Sequence, residues 1–568
     1  MLLYITAFAS VGYVFWTLSK LATNYQKAQK LGFPIIVSPW GLFNIPWMVL
    51  QSLFLPLLDR TPLLWPIVNR RGWSWDGGIK MHQKIGKVFT HVTPDEIYVH
   101  VADAATCDRM VNDRKQIGRP IDNSQITLIL GSNLISTEGP DWVRQRKIAQ
   151  QAFIERNSSL VWTESKSQTE QMIEYWKETQ PDGVRTVCHD LLTLGLHVLT
   201  HAGLGIQYQY RNAHDPPKAG YSMNYKDSLL TLLTNTTLLA LFPMSWAKFP
   251  IWPKSVTTFT TAVSDFKRYM IEMVEAERER ISCGKPERPS ILSVLVSKNE
   301  EAKQYSREKP SAPLQGLRDD ELYGNLFLFN LAGHETTTHT VGYALYMLAI
   351  NPEYQTWARE EIMNILATHD QFDYENIFPK LRRTLALMFE TLRLYPQVLE
   401  LQKSAFYGPM DTTIADKQVT LPPEVSVQFN LRAMHQMSEY WGSDGTQFRP
   451  TRWISSPLST AASSASGAAG KAQALAAEEI VKPPVKGAFM PWSEGGRVCP
   501  GKRFAQVEFL SVLMTVLRGY RLEIQTREGE TVEGARERAQ KVVDDSELVL
   551  TLEMRRAEDV AIKFVEIS

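Results

Sequence analysis

The stretch "PWSEGGRVCPGKRFAQVEFLSVLMTVL" (491–517) decides how this chain is read. It holds Cys499, one of only four cysteines, with Gly495 and Gly496 before it and Gly501 after it. Pro500 suits the first position of a helix, so Cys499 is expected at the N-cap. Phe504, Val507, Val512 and Leu513 then supply an approximate apolar stripe for that helix. The amides and dipole of a helix start favour an anion, here a thiolate. The glycines let the backbone approach a ligand closely, and Arg497, two residues before the sulfur, suits a carboxylate. An inert buried cysteine describes Cys107 better than Cys499. A nucleophilic cysteine wants a basic partner, and this loop contains no histidine, although one could come from elsewhere.

Cys107, Cys188, Cys283 and Cys499 lie far apart, which argues against a disulfide framework or a structural zinc site and fits a reducing compartment. A lone thiolate with an arginine placed for propionates fits heme. The chain is long enough, at 568 residues, for a large core. Its 61 Lys plus Arg balance 61 Asp plus Glu, so nothing points to nucleic acid as the partner.

A second segment breaks local rules. "ELYGNLFLFNLAGHETTTHTVGYALYMLAI" (321–350) is apolar all round, as a buried helix is, yet its middle reads Gly333-His334-Glu335-Thr336-Thr337. A mid-helix glycine costs about 1 kcal/mol, and a buried carboxylate must be paired, hydrated or protonated. Such a concentration of unfavourable choices is expected at a functional site. It reads either as a helix beside a pocket, carrying a carboxyl and a hydroxyl that move protons, or as a satisfied polar patch against another helix. In "LRRTLALMFETLRLYPQV" (381–398), Glu390 and Arg393 sit one helical turn apart among apolar residues. A buried pair needs more partners, and "FRPTRW" (448–453) offers Arg452.

The N-terminal "MLLYITAFASVGYVFWTLSK" carries no charged side chain from Leu2 to Ser19, and Lys20, Lys27 and Lys30 follow it. It reads as a short anchor helix with the bulk of the chain on the cytoplasmic side. A second apolar stretch (40–58), broken by Pro46 and Pro56, reads as surface-lying or hinge-like. Residues 87–101 read as a hairpin, and helical patterns dominate from Trp142 to about Thr391. The Ala/Ser-rich run within 454–487 reads as a surface insertion. The expected division is an anchor (1–20), a hinge and membrane-surface segment (21–58) and a catalytic domain (59–568).

Taken in order, these motifs resemble the cytochrome P450 family of heme-thiolate monooxygenases, over roughly Gly86 to the C-terminus. Gly495, Arg497, Cys499 and Gly501 match the heme-ligand signature, with Trp492 where phenylalanine is common. "AGHETT" matches the oxygen-activation motif, "ETLR" the buried Glu-Arg pair, and "WVRQRK" a helix reaching a heme propionate. Thr451 replaces the usual glutamate of the arginine motif, and Lys403 stands where an arginine is frequent, losing the planar fork.

The resemblance implies a mostly α fold with small β-sheets (α+β), a P450 fold preceded by the anchor helix. It implies Cys499 as axial ligand of heme b (iron protoporphyrin IX), with Trp142, Arg146, Lys403, Arg497 and Gly501 around the cofactor. Thr336 and Glu335 would be catalytic, and Glu390, Arg393 and Arg452 structural. It implies NADPH-derived electrons from NADPH-cytochrome P450 reductase, with cytochrome b5 a second candidate donor. Arg144, Lys147, Lys502 and Arg503 are the candidate docking cations. The expected setting is the endoplasmic reticulum membrane, single-pass. The expected substrate is a lipophilic small molecule, since segments such as "ILGSNLIS" (129–136) and "LLALFPMSW" (238–246) are apolar. Fungal secondary metabolism is the expected context. Two other readings remain: a heme-thiolate isomerase or dehydratase working without dioxygen, and a non-catalytic heme- or lipid-binding protein.

Overall fold

Apolar runs of helical period and a few β-branched runs sort this chain into long helices around a small sheet. The arrangement is seen in a computed structural model that describes residues 2–42, 44–120, 128–211, 216–235, 252–285, 288, 290–309, 311, 314–368, 372–455, 480–481 and 485–567. The apolar stretch 238–246, and most of the Ala/Ser-rich insertion expected at 454–487, lie outside the described residues.

The largest sheet takes strands β1 (Ile35–Val37), β2 (Val88–Val92), β3 (Ile97–Val101), β4 (Glu400–Ser404) and β5 (Val425–Asn430), in the order β1-β2-β3-β5-β4. The hairpin read at 87–101 is the antiparallel β2–β3 pair. β3 and β5 run parallel, and β4 closes the far edge antiparallel to β5. Val99, Val101, Val427 and Phe429 form one face and pack into the main core. Strand alternation therefore puts His100 and Gln428, which are register partners, on the other face.

The helices that matter for the site are α1 (Leu2–Leu31), α2 (Ile45–Leu58), α3 (Gly139–Ala149), α4 (Glu155–Thr179), α5 (Val187–Leu204), α6 (Asp319–Ile350), α7 (Arg382–Leu394) and α8 (Lys502–Gly519). α6 is the all-round apolar segment of the sequence. It is buried along most of its length, with Phe327, Tyr343, Leu345 and Tyr346 inaccessible to water. Each large side chain so buried is worth about 1.5–3 kcal/mol of hydrophobic stabilisation. α8 buries Val507, Phe509, Leu510, Val512 and Leu513 and is tied to α4 by Ser511 Oγ donating to the Trp162 carbonyl, 2.8 Å.

The N-terminal helix continues past the expected anchor limit at residue 20. Its second half joins the globular body: Ala28 and Leu31 are buried, Asn24 Nδ2 donates to the Thr93 carbonyl (2.9 Å), and Lys27 pairs with Glu424 (2.7 Å). With β1 parallel to β2, residues 24–37 are packed parts of the body, ahead of the division expected at residue 59. Among the described residues no helix is long and apolar enough to cross a membrane. α1 is nonetheless exposed and apolar at Val11, Val14, Phe15 and Leu18.

Glu390 and Arg393 of α7 are buried completely. Arg393 grips both carboxylate oxygens of Glu390 at 2.8 Å. Arg452 Nε (3.0 Å), Trp453 Nε1 (2.9 Å) and the Arg449 amide (2.7 Å) also donate to Glu390. The remaining Arg393 donors reach the carbonyls of His435, Gly445 and Gln447. A buried pair survives only when every donor and acceptor is answered, and here they are. Removing one partner strands the others, so Glu390→Ala is expected to lose about 3–5 kcal/mol of stability. The shift of the urea unfolding midpoint measures it, and a loss below about 1 kcal/mol would contradict the interlocked picture.

Candidate active site

Cys499 lies in a loop that the backbone shapes closely. Its amide donates to the Trp492 carbonyl (2.9 Å), and its carbonyl accepts from the Lys502 amide (3.3 Å). Gly495 adopts φ 64°, where a Cβ would collide with the Val111 carbonyl oxygen. α8 begins at Lys502 with Gly501 as its N-cap, two residues later than the N-cap expected at Cys499. The Cys499–Lys502 turn intervenes before the helix. The consequence for the sulfur is nevertheless anion-friendly: the Gly501 and Lys502 amides both hydrogen-bond to it, and Arg146 adds positive charge. Burial outweighs these and pushes the bare thiol up from its ordinary value.

The sulfur borders a cavity of about 890 Å3. Thr336 and Gly333 of α6 line the same cavity, as do Trp142 and Arg146 of α3, Arg497, Lys403 and Gly501. α3 is held in place by α6: Arg144 makes paired bonds to Glu321 (2.7 Å each), and Asn325 Nδ2 donates to Gln145 Oε1 (2.9 Å). Arg144 therefore spends its charge inside the body. Lys147, Lys502 and Arg503 remain exposed, with Arg503 bonded to Glu155 at 3.1 Å.

One cavity cation had no signature in the sequence. Arg119 lines the cavity with its Nε buried and unpartnered. It is brought there by a two-way backbone bridge between Gly118 and Ser404 (3.0 and 3.1 Å), which sets Arg119 beside Lys403. Arg497 lies over the Trp142 ring (4.5 Å), donates to the Leu134 and Thr137 carbonyls, and pairs with Glu138 (2.6 Å). Lys403 is pushed down to about 8, chiefly by burial and then by Arg497 and Arg119. Arg146 and Lys403 have no side-chain partner among the described residues.

This donor set fits a heme. Of the six cations lining the cavity, Arg119, Arg146, Arg497 and Lys403 lie close enough to repel one another, with Glu138 the carboxylate beside them, so two propionates there would offset their charge. A soft sulfur borders the same space, and a Cβ at Gly501 would stand only 3.8 Å from it. The acid and the alcohol of α6 part company. Thr336 faces the cavity, its Oγ1 donating to the Ala332 carbonyl (2.9 Å). Glu335 turns away toward Thr551, whose Oγ1 lies 3.3 Å from Oε2, and His339 Nδ1 is 2.9 Å from that same hydroxyl.

Comparison with known proteins points one way. A sequence model of the family described as cytochrome P450 matches residues 55–540. A cytochrome P450 monooxygenase of Arthrobotrys oligospora is 28% identical, covering 96% of this chain and 95% of its own. A cytochrome P450 monooxygenase of the phomenoic acid biosynthesis cluster of Leptosphaeria maculans is 26% identical, covering 89% of this chain and 90% of its own. A solved crystal structure of a cytochrome P450 superposes with a TM-score of 0.63 at 17% identity, over 87% of this chain and 98% of that one.

Burial, then the charge of Glu553, raises Glu335 from 4.5 to about 7. Between those values the folded protein keeps a proton that the unfolded chain releases, so stability falls as pH rises from 4.5 to 7 and is level above. Glu335→Gln removes this penalty. It is expected to be more stable than wild type by on the order of 2 kcal/mol above neutral pH, with the difference vanishing near pH 4. Urea unfolding midpoints across pH check it.

Proposed function

The chain belongs to the cytochrome P450 family, and from that premise we propose that it is a membrane-associated heme-thiolate monooxygenase that inserts one oxygen atom from dioxygen into a lipophilic small molecule of secondary metabolism. The observation that carries the proposal is the shared cavity: Cys499 and Thr336 border one space ringed by Arg119, Arg146, Arg497 and Lys403.

The residues divide the work. Cys499 would hold heme b through its sulfur, and the Gly501 and Lys502 amides would temper the sulfur's negative charge. Arg146, Arg497 and Lys403 would hold the propionates together with Arg119, while Trp142 braces Arg497. Heme bound through a thiolate supplies oxygen activation and transfer. Thr336 offers a hydroxyl that hydrogen-bonds and hands on protons in the cavity. Glu335, neutral or ionised near pH 7, is suited to exchange protons with Thr551 and His339 behind the helix. Glu390, Arg393 and Arg452 keep the frame under the cysteine loop rigid. The retained acid and alcohol favour this reading over an isomerase or dehydratase working without dioxygen, and over a non-catalytic heme- or lipid-binding protein.

Electrons come from NADPH-cytochrome P450 reductase, or for one step from cytochrome b5, docking at the exposed Lys147, Lys502 and Arg503. The setting proposed is the endoplasmic reticulum membrane, with residues 1–20 as a single-pass anchor and the body on the cytoplasmic side. Supporting it, Asn44 at the start of α2 bonds Tyr13 of α1 (3.3 Å), and α2 exposes Val49, Leu53 and Leu57. Met48 and Gln51 of α2 line the cavity, so it opens toward that apolar surface. The lipophilic substrate and the secondary-metabolite context rest on this opening and on the cluster named for the Leptosphaeria relative.

Two substitutions test the proposal. Cys499→Ala is expected to abolish the thiolate-type band of the reduced carbon monoxide difference spectrum; a band unchanged from wild type would refute the ligand. Thr336→Ala should keep heme yet turn less of the consumed NADPH into product, with hydrogen peroxide making up the difference. Unchanged coupling would remove Thr336 from the mechanism.

A further inference from the structure

Glu335 points away from the cavity, and the group it meets sits on a hairpin near the C-terminus. Strands Ser546–Leu548 and Leu552–Met554 pair antiparallel across a short turn. Tyr343 Oη of α6 donates to Ser546 Oγ (2.7 Å), which fastens the base of the hairpin to the helix. Neighbouring residues of the hairpin then do different things. Leu548, Val549 and Leu550 line the cavity. Thr551 and Glu553 instead meet Glu335 and His339, which stand one turn apart on α6.

The contacts run outward in a line. Thr551 Oγ1 donates to Glu335 Oε2 at 3.3 Å, and His339 Nδ1 lies 2.9 Å from the same hydroxyl. His339 Nε2 lies 3.8 Å from Glu553 Oε2, the closeness of an ion pair whenever the ring carries an extra proton. The two middle groups are buried, but the Glu553 side chain is 38% exposed, so the line ends in water. A hydroxyl accepts one proton while giving up another, and a neutral imidazole accepts at one nitrogen and donates from the other. Burial and then His334 push His339 down to about 4, which keeps it neutral near pH 7. Burial and then Glu547, its register partner, raise Glu553, and Arg555 binds Glu547 at 3.1 Å. The other titratable groups beside the line stay out of it. Cys188 of α5, pushed up to about 12, remains a thiol, and His334 turns its Nε2 to the Leu192 carbonyl (3.1 Å).

We propose that Thr551, His339 and Glu553 form the proton inlet of this site, positioning residues that refill Glu335 from water without passing through the cavity. A proton taken up by Glu553 passes to His339 Nε2. His339 Nδ1 gives its own proton to Thr551 Oγ1, and Thr551 gives its own to Glu335 Oε2. One proton enters at the surface, one arrives at the acid, and no electron moves. Substrate and heme then fill the cavity without cutting the acid off from solvent. The inference rests on the monooxygenase reading and adds to it the residues that supply its protons.

A laser-flash pH jump on the heme-loaded protein tests it, with o-nitrobenzaldehyde as the caged proton source. The carboxyl infrared band that Glu335→Gln removes reports when Glu335 becomes protonated. Thr551→Val, which keeps the shape and loses the hydroxyl, is expected to slow that protonation about tenfold or more, and His339→Phe likewise. Thr551→Ser restores the hydroxyl and should run at close to the wild-type rate. An unchanged rate in Thr551→Val would mean that protons reach Glu335 by another way, through the cavity, and would overturn the inlet. Equal slowing in Thr551→Ser and Thr551→Val would make Thr551 a packing residue and overturn it as well. Should His339→Phe fail to load heme, the valine and serine variants decide between them. The reduced carbon monoxide band of the same samples reports the thiolate site separately, so the inlet can fall while the monooxygenase reading stands.

Discussion

Unbalanced positive charge around one cavity is the constraint on which the rest of this molecule turns. Arg119, Arg146, Arg497 and Lys403 converge there, and Glu138, engaged with Arg497 and the Arg119 amide, cannot neutralise all of them. Cations held close in partial burial repel one another: burial chiefly lowers the proton affinity of Lys403, and Arg497 and Arg119 add to it. The scaffold holds them regardless: α3, which carries Arg146, is locked to α6 through Arg144 and Glu321, the Gly118–Ser404 bridge pins Arg119 and Lys403, and the Leu134 and Thr137 carbonyls fix Arg497. A dianionic ligand therefore relieves strain that the fold has already accepted, and binding it stabilises the folded state by mass action.

The sulfur follows the same logic on a smaller scale. Two amides and Arg146 favour the anion, yet burial disfavours it more. Beneath it, the Glu390–Arg393–Arg452 cluster shows the opposite case, in which the protein answers every buried charge itself. The two clusters differ in one respect: the first answers its charges within the chain, whereas the cysteine cavity leaves Arg146 and Lys403 without a side-chain partner among the described residues.

What could be read from the sequence was what is written locally. The Cys499 loop, the polar middle of α6 and the Glu390–Arg393 spacing each occupy a few consecutive residues, so their chemistry showed. Arg119 did not show, because nothing in its neighbours distinguishes it; only pairing with a strand nearly 300 residues away gives it a place. Arg144 looked like a surface cation for the same reason, its partner Glu321 being remote in sequence. The helix start was misplaced by two residues because proline's preference for a first turn is statistical, and here a separate turn comes first. The β-branched and aromatic residues around a turn at 87–101 pointed to the β2–β3 hairpin, but such composition cannot say whether a strand's polar face meets water or a cavity.

α1 has a mechanical consequence. It is one uninterrupted rod of 30 residues, roughly 45 Å long, whose last third is clamped to the sheet by Asn24, Lys27, Ala28 and Leu31. Such a rod has no swivel. Deleting a single residue between the clamp and Phe15 would roll the outer apolar side by about 100° and draw it in by about 1.5 Å. Whatever surface that side rests on, the tilt of the whole body against it is dictated by helical pitch.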